Sequence, residues 1–125
     1  MKRVIGLGGI FFKCNDRETV KNWYAQHLGI LVEDWGAAFP WRRHDDPGTE
    51  TYTAWSPFKG DTKYFEPSQH DFMVNYQVKD LLELLTKLRE EGVTVMDEIE
   101  ESEFGKFGWI LDPEGRKIEL WEPPK

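Results

Sequence analysis

One local pattern occurs twice in this chain, and the two copies are separated by about half of its 125 residues. Each copy starts with a strand-like segment, continues through a polar cap and an apolar helical stripe, and ends at a glycine. The first copy runs from Val4–Cys14 to Gly29, and the second runs from Phe72–Val78 to Gly92. Little residue identity accompanies this match, so we interpret it as a duplicated supersecondary unit.

The two helices are predicted from hydrophobic periodicity and from polar residues at their starts. Asn15 with Glu18, and Asp80 with Glu83, form possible capping boxes. The first apolar stripe consists of Val20, Trp23, Tyr24, His27 and Leu28, and the second of Leu81, Leu82, Leu84, Leu85 and Leu88. Because residues at these spacings share one helix face, each half is expected to contain one amphipathic helix.

Short strand candidates follow each helix. They are residues 30–35, 37–43 and 51–55 in the first half, and residues 93–99, 107–111 and 117–121 in the second. Each half therefore reads βαβββ, with halves of residues 1–62 and 63–125 in a single α+β domain. The connection at residues 56–69 contains Phe58, Tyr64 and Phe65, and is interpreted as either a lid or a linker that packs on the core.

Composition excludes several classes of function. The formal charge is −7, from 16 Lys plus Arg against 23 Asp plus Glu, so an acidic surface argues against binding to nucleic acid. No stretch approaches the roughly 18 apolar residues that a membrane span requires, and residues 1–9 lack a signal-peptide pattern. Cys14 is the only cysteine, which excludes an internal disulfide framework and is typical of a reducing compartment. We therefore expect a cytoplasmic protein.

The C-terminal segment carries the most specific motif. Asp112-Pro113-Glu114-Gly115 predicts a tight turn, and the next strand bears Glu119 between Ile118 and Leu120. With the two βαβββ units, this motif resembles the vicinal oxygen chelate superfamily, which includes glyoxalase I, bleomycin and fosfomycin resistance proteins and extradiol dioxygenases. The resemblance covers essentially the whole chain. It implies a curved mixed sheet built from two modules, and a homodimer with a cleft completed across a two-fold interface.

The resemblance also implies where a metal would bind. Metal-dependent members of the superfamily take ligands from the first and last strands of each half, and these positions align with Gly9, Trp55, Met73 and Glu119. Only Glu119 has a side chain suited to a hard divalent ion. We therefore expect no metal cofactor. The alternative is a weakly held divalent metal completed by another residue such as His70, which a strand bulge would have to turn inward.

Strand alternation selects candidate ligand-binding residues on the same side as these positions. Phe11 and Lys13 share a face with Gly9, Asn75 shares one with Met73, and Trp121 shares one with Glu119. With the remaining aromatic candidates, the predicted ligand-binding set is Phe11, Lys13, Trp55, Met73, Asn75, Trp109 and Trp121. Such a mixture of apolar and polar groups is typical of small-molecule pockets, but the aromatic residues could equally fill a core.

Glu119 is the candidate catalytic residue. A carboxylate on an inward strand face is costly to bury unless it is paired, so a partner such as Lys13, Lys117 or Arg42 is expected. Without such a partner the pKa of Glu119 should rise, which would suit a general base. The alternative interpretation is a structural ion pair or a residue retained from the fold family without a catalytic role.

These observations favour a glyoxalase/bleomycin-resistance-like protein that binds a small organic molecule in an aromatic-lined cavity without the full metal site. The alternative is a metal-assisted lyase, isomerase or dioxygenase-like enzyme that uses Glu119. A third hypothesis, a purely structural or partner-binding domain, predicts that Trp55, Met73 and Trp109 fill the sheet interior and leave no cavity.

Overall fold

A computed structural model describes residues 3–125, which form one mixed sheet of seven strands with two α-helices. In chain order the elements are β1 (Val4–Cys14), α1 (Arg17–Leu28), β2 (Ala37–Arg42), β3 (Glu50–Lys59), β4 (Phe72–Val78), α2 (Leu81–Glu90), β5 (Val95–Ser102), β6 (Gly105–Leu111) and β7 (Lys117–Glu122). The predicted α+β fold is confirmed. Met1 and Lys2, the start of the segment in which no targeting signal is expected, lie outside the described residues.

The two halves of the chain meet at the centre of the sheet. The strand order is β2-β3-β1-β4-β7-β6-β5, and β1 pairs with β4 in antiparallel orientation. On one side β1 pairs with β3 in parallel, and on the other β4 pairs with β7 in parallel. Each parallel pair includes a crossover through one helix, so the duplicated unit of the sequence corresponds to a duplicated half-sheet.

Both helices begin at an aspartate. The Thr19 amide donates to Asp16 Oδ1 over 3.1 Å, and the Glu83 amide donates to Asp80 Oδ1 over 3.2 Å. The prediction of Asn15 as the first cap is therefore wrong by one residue, because the Asp16 side chain is the one that satisfies a free amide of the first turn. Gly29 ends α1 with a φ of 69°, a left-handed conformation that glycine adopts without strain.

The strands of the two halves differ in ways that the sequence did not predict. Residues 30–35 were expected to form a strand, but this segment contributes only an isolated bridge between Glu33 and Gly36 around a tight turn. The first half is therefore βαββ. β3 continues through Phe58 to Lys59, so the long connection is shorter than expected, because the chain keeps pairing with β1 up to Cys14.

Helices and cavity lie on opposite faces of the sheet. Leu81, Leu84 and Leu85 of α2 pack with Val78 and Leu120, which point to the helical face. Alternation along the strands then sends the neighbouring residues of β4 and β7 to the other face. Within residues 3–125, neither helix is long and apolar enough to cross a membrane.

Candidate functional site

A cavity of about 380 Å³ opens on the face of the sheet opposite α2. Most of its lining is aromatic. The lining residues are Gly8, Phe11, Trp35, Tyr52, Ala54, Ser56, Phe58, Tyr64, Asn75, Phe104, Phe107, Glu119 and Trp121. Both halves of the chain contribute to this lining, which contradicts the hypothesis of a fully filled sheet interior.

Irregular pairing between β1 and β4 shapes the centre of this cavity. The register shifts between Leu7 and Gly9, and this turns Gly8 towards Asn75. A Cβ atom on Gly8 would lie only 2.0 Å from Asn75 Oδ1. The ring of Phe11 covers Gly9, where a Cβ atom would meet its Cζ at 2.8 Å. The glycine that exposes the cavity floor is therefore Gly8, one position before the glycine selected from the sequence.

Glu119 lies at the floor, on strand β7 between β4 and β6. It stands opposite Asn75 of β4 on one side and Trp109 of β6 on the other. Its side chain accepts hydrogen bonds from the Tyr64 hydroxyl, from Asn75 Nδ2 at 2.5 Å and from Trp109 Nε1 at 3.0 Å. The residue is only 2% exposed, so these three donors replace the water that a carboxylate would otherwise bind.

None of the three cationic residues expected to pair with Glu119 forms an ion pair with it. The Lys117 Nζ donates to the backbone oxygen of Tyr64 at 2.8 Å and lies 5.3 Å from the ring centres of Tyr64 and Trp109. Lys13 lies over the Phe65 ring. Arg42 faces Glu50 at 3.9 Å. The prediction of a direct ion pair is thus wrong, because neutral donors from three different elements reach the carboxylate first.

Burial has the largest effect on the pKa values of Glu119 and Tyr64. Desolvation raises the pKa of Glu119, and the hydrogen bonds from Tyr64, Asn75 and Trp109 oppose that rise. Desolvation likewise raises the pKa of the Tyr64 hydroxyl, and the nearby Glu119 charge raises it further. Tyr64 therefore stays a hydrogen-bond donor, while Glu119 binds a proton more readily than an exposed glutamate.

The structure separates the predicted ligand-binding residues into two groups. Phe11, Asn75 and Trp121 line the cavity with Glu119. Four others do not line it: Met73 and Trp109 are buried in the cluster beneath it, Lys13 lies at the edge of that cluster, and Trp55 packs against Phe12 and Tyr24 on the helical face.

Several lining residues were not selected from the sequence. Tyr52, Ala54, Ser56 and Phe58 alternate along β3 and share the face opposite to that of Trp55, so they were missed because Trp55 was placed on the inward face. Tyr64 belongs to the aromatic connection between the halves, which packs onto the core rather than standing away from it. Phe65 of the same segment is completely buried.

The donor set around Glu119 does not fit the metal centre implied by the resemblance. The neighbouring strands present Gly8, Ala54 and Asn75, and three N–H or O–H donors already point at the carboxylate. His70 contacts the Phe72 ring and does not line the cavity. Among the described residues no three His, Cys, Asp or Glu side chains form a group suited to a metal ion.

Comparisons with known proteins agree with this architecture. The structure is similar to that of the methylmalonyl-CoA epimerase from Mycobacterium tuberculosis, with a TM-score of 0.67 and 20% sequence identity. The match covers 98% of this chain and 90% of the epimerase chain. A Streptomyces coelicolor methylmalonyl-CoA epimerase in complex with 2-nitronate-propionyl-CoA is 18% identical, with a TM-score of 0.68. That match covers 98% of this chain and 99% of the epimerase chain. A superfamily member from Vibrio splendidus is 14% identical, with 93% of this chain and 98% of that chain covered and a TM-score of 0.57.

These structural similarities, at low identity, show a shared fold. No curated protein sequence matches the chain. The family profile described as Glyoxalase/Bleomycin resistance protein/Dioxygenase superfamily matches residues 6–120, nearly the entire chain. The protein therefore belongs to the glyoxalase/bleomycin resistance protein/dioxygenase superfamily.

Proposed function

We propose that this protein binds a small organic molecule in the aromatic cavity and does so without a metal ion. One observation carries the proposal: Glu119 lies on the floor of an aromatic cavity and is held by three neutral donors, where metal chemistry would need further ligands. The arrangement suits a ligand that buries an apolar body and directs a polar group at the floor.

The cavity has the dimensions and chemistry of a small-molecule site. Its volume of about 380 Å³ lies in the range common for such pockets. The paired rings of Phe107 and Trp121 are parallel within 2°, and Phe58 and Tyr64 are parallel within 10°. In each pair the contact with the second ring restricts the motion of the first. A flat ligand can therefore pack on these rings with little loss of side-chain entropy.

Proton transfer at Glu119 is the second candidate function. Burial raises the pKa of this carboxyl, and a base with a raised pKa accepts a proton from a bound substrate more readily than an ordinary glutamate. An enzyme of this kind would use Glu119 as the base and Tyr64 as a positioning residue. The metal-assisted alternative would require ligands that the residues beside Glu119 do not supply.

A homodimer and a cytoplasmic location are further parts of this proposal. Around α1, the side chains of Trp23, Leu28 and Leu31 are 52%, 60% and 89% exposed. Grouped apolar side chains of this kind are typical of interaction surfaces. Light scattering coupled to size-exclusion chromatography tests the assembly, with a monomeric mass for the intact protein as the result that contradicts it.

Filling the cavity tests the binding function. The neutral fluorescent probe N-phenylnaphthylamine should brighten on binding to the unaltered protein, because its emission increases in apolar surroundings. Ala54→Leu places extra carbons in the cavity and should weaken probe binding by about tenfold or more. Ala25→Leu, at an exposed position of α1 on the opposite face of the sheet, is the matched control and should bind normally. Equal binding by all three proteins would contradict a ligand site in this cavity.

Metal independence has its own measurement. Protein purified without chelators should contain no tightly held divalent ion, and probe binding should be the same with and without EDTA. About one retained divalent ion per chain after extensive dialysis would contradict the proposal.

A further inference from the structure

The hydrogen-bonding groups left unused at the cavity floor are acceptors. Glu119 Oε1 receives the hydrogen bonds of Tyr64 and Trp109, whereas Oε2 receives only that of Asn75. A carboxylate oxygen can accept two, so Oε2 retains one free position. Asn75 Oδ1 is buried and has no hydrogen-bond partner. A ligand that satisfies Glu119 Oε2 and Asn75 Oδ1 must therefore bring N–H or O–H donors, whereas the Tyr52 hydroxyl in the lining can either donate or accept.

The charge of the cavity has one sign. Among residues 3–125, none of those lining the cavity is a lysine, arginine or histidine, and Glu119 is its only carboxylate. Lys117 lies behind Tyr64 and Trp109, in a separate depression whose other charged residues are Lys63, Glu66, Glu98 and Glu100. Its charge acts on Glu119 from behind the rings and on Glu98 and Glu66 in that depression, and it lies outside the cavity lining.

The walls favour a positive charge as well. Eight of the lining residues are aromatic, and the faces of such rings attract cations. An ammonium group inside the cavity would meet ring faces around it and a carboxylate beneath it. An anion there would find no opposite charge in the lining, and burying an unpaired anion is costly.

From the unused acceptors, the single carboxylate and the aromatic walls, we propose that the cavity binds an organic cation that carries N–H groups, namely a primary or secondary ammonium or an amidinium. Its N–H groups donate to Glu119 Oε2 and Asn75 Oδ1, and its apolar body packs between the stacked ring pairs. The inference rests on the proposed binding function and adds the chemical class of the ligand. It also separates this cavity from one that receives a carboxylate or a phosphate.

Three probes with the same ring and different charge test this assignment. Phenethylammonium, phenylethanol and phenylpropionate are titrated into the unaltered protein at neutral pH by isothermal calorimetry. The ammonium should bind about tenfold or more tightly than the alcohol, because it gains a charge-assisted hydrogen bond and contacts with ring faces, and the carboxylate should bind weakest. A trimethylated phenethylammonium, which has no N–H group, should bind less tightly than the primary ammonium.

Removing the charge of Glu119 should abolish the preference. In Glu119→Gln the affinity for phenethylammonium should fall about tenfold, while that for phenylethanol changes by less than about twofold. Glu101→Gln removes an exposed carboxylate of β5 and should leave both affinities unchanged. The comparison of the probes in the unaltered protein remains decisive if Glu119→Gln fails to fold.

The outcomes separate the ligand class from the binding function. If phenylethanol or phenylpropionate binds as tightly as phenethylammonium, and Ala54→Leu blocks that binding, the cationic class is overturned while the cavity remains a binding site. If none of the probes binds at millimolar concentration, and N-phenylnaphthylamine does not bind either, both proposals are overturned.

Discussion

The two helices begin in the same way and are used differently. Asp16 and Asp80 cap α1 and α2 with equivalent hydrogen bonds, and each helix crosses between parallel strands. α2 buries Leu81, Leu84 and Leu85 against the sheet, whereas Lys21 is the only buried residue of α1. The duplicated local pattern therefore does not determine how much each half contributes to the core.

The cavity shows the same division between the halves. β3 of the first half contributes much of its wall, while Glu119 and two of its three hydrogen-bond donors belong to β4, β6 and β7 of the second. Tyr64, from the connection between the halves, supplies the third donor. The second half thus combines the main helical core with the polar floor, and the first half mainly shapes the space for a ligand.

The largest expected contrast is between the two helical faces. Leu85→Ala should lower the free energy of unfolding by about 3 kcal/mol, because Leu85 is 1% exposed and its loss leaves a cavity in the α2 core. Trp23→Ala in α1 should lower it by less than about 1 kcal/mol, since half of that side chain is already exposed. Urea denaturation of both variants at low protein concentration measures the difference. Equal decreases in the free energy of unfolding would contradict the conclusion that α2 contributes more to the core than α1.

The junction of the halves provides the second test. Gly8→Ala should cost about 2 kcal/mol, because its Cβ atom cannot coexist with Asn75 Oδ1 and must displace that side chain from Glu119. Gly48→Ala is the matched control. Its nearest contact would be at 3.8 Å, so its free energy of unfolding should change by less than about 0.5 kcal/mol. Equal free energies of unfolding for the two variants would contradict this prediction and would show that β1 and β4 can move apart at little cost.

The smallest expected effect concerns the pH dependence of stability. Because the pKa of Glu119 is raised on folding above its ordinary value of 4.5, the folded protein holds this proton over a pH range in which the unfolded chain has released it. The stability that comes from the neutral carboxyl is present below pH 4.5 and is lost as the pH rises through the folded pKa. Glu119→Gln stays neutral, so its stability relative to the unaltered protein should increase over that range.

The measurement for this third prediction is urea denaturation of the two proteins at a series of pH values from 4.5 upward. Their difference in unfolding free energy should change by at most about 1.4 kcal/mol for each pH unit. A constant difference between Glu119→Gln and the unaltered protein would mean that burial does not disfavour the Glu119 charge.

Most elements of the fold could be predicted because their signals are local. Hydrophobic alternation identified β4, an apolar segment identified β1, and the tight turn at residues 112–115 identified the start of β7. Periodicity with capping residues identified both helices. The segment at residues 30–35 was predicted as a strand that follows the first helix, and it forms a turn with a single bridge instead. Trp55 was placed near the site because it aligns with a ligand position of the superfamily, and its ring packs against α1 instead.

The sequence by itself determined the duplicated plan, the family, and the inward position of Glu119 on the last strand, because each depends on short spacings and on a local motif. Only the tertiary structure decided what surrounds that carboxylate. The bond from Tyr64 joins residues 55 positions apart, and the position of Gly8 depends on a register shift between strands of opposite halves. Hydrogen bonds and register shifts between distant segments leave no periodic trace in the sequence, and these contacts set the unused acceptors and the charge of the cavity.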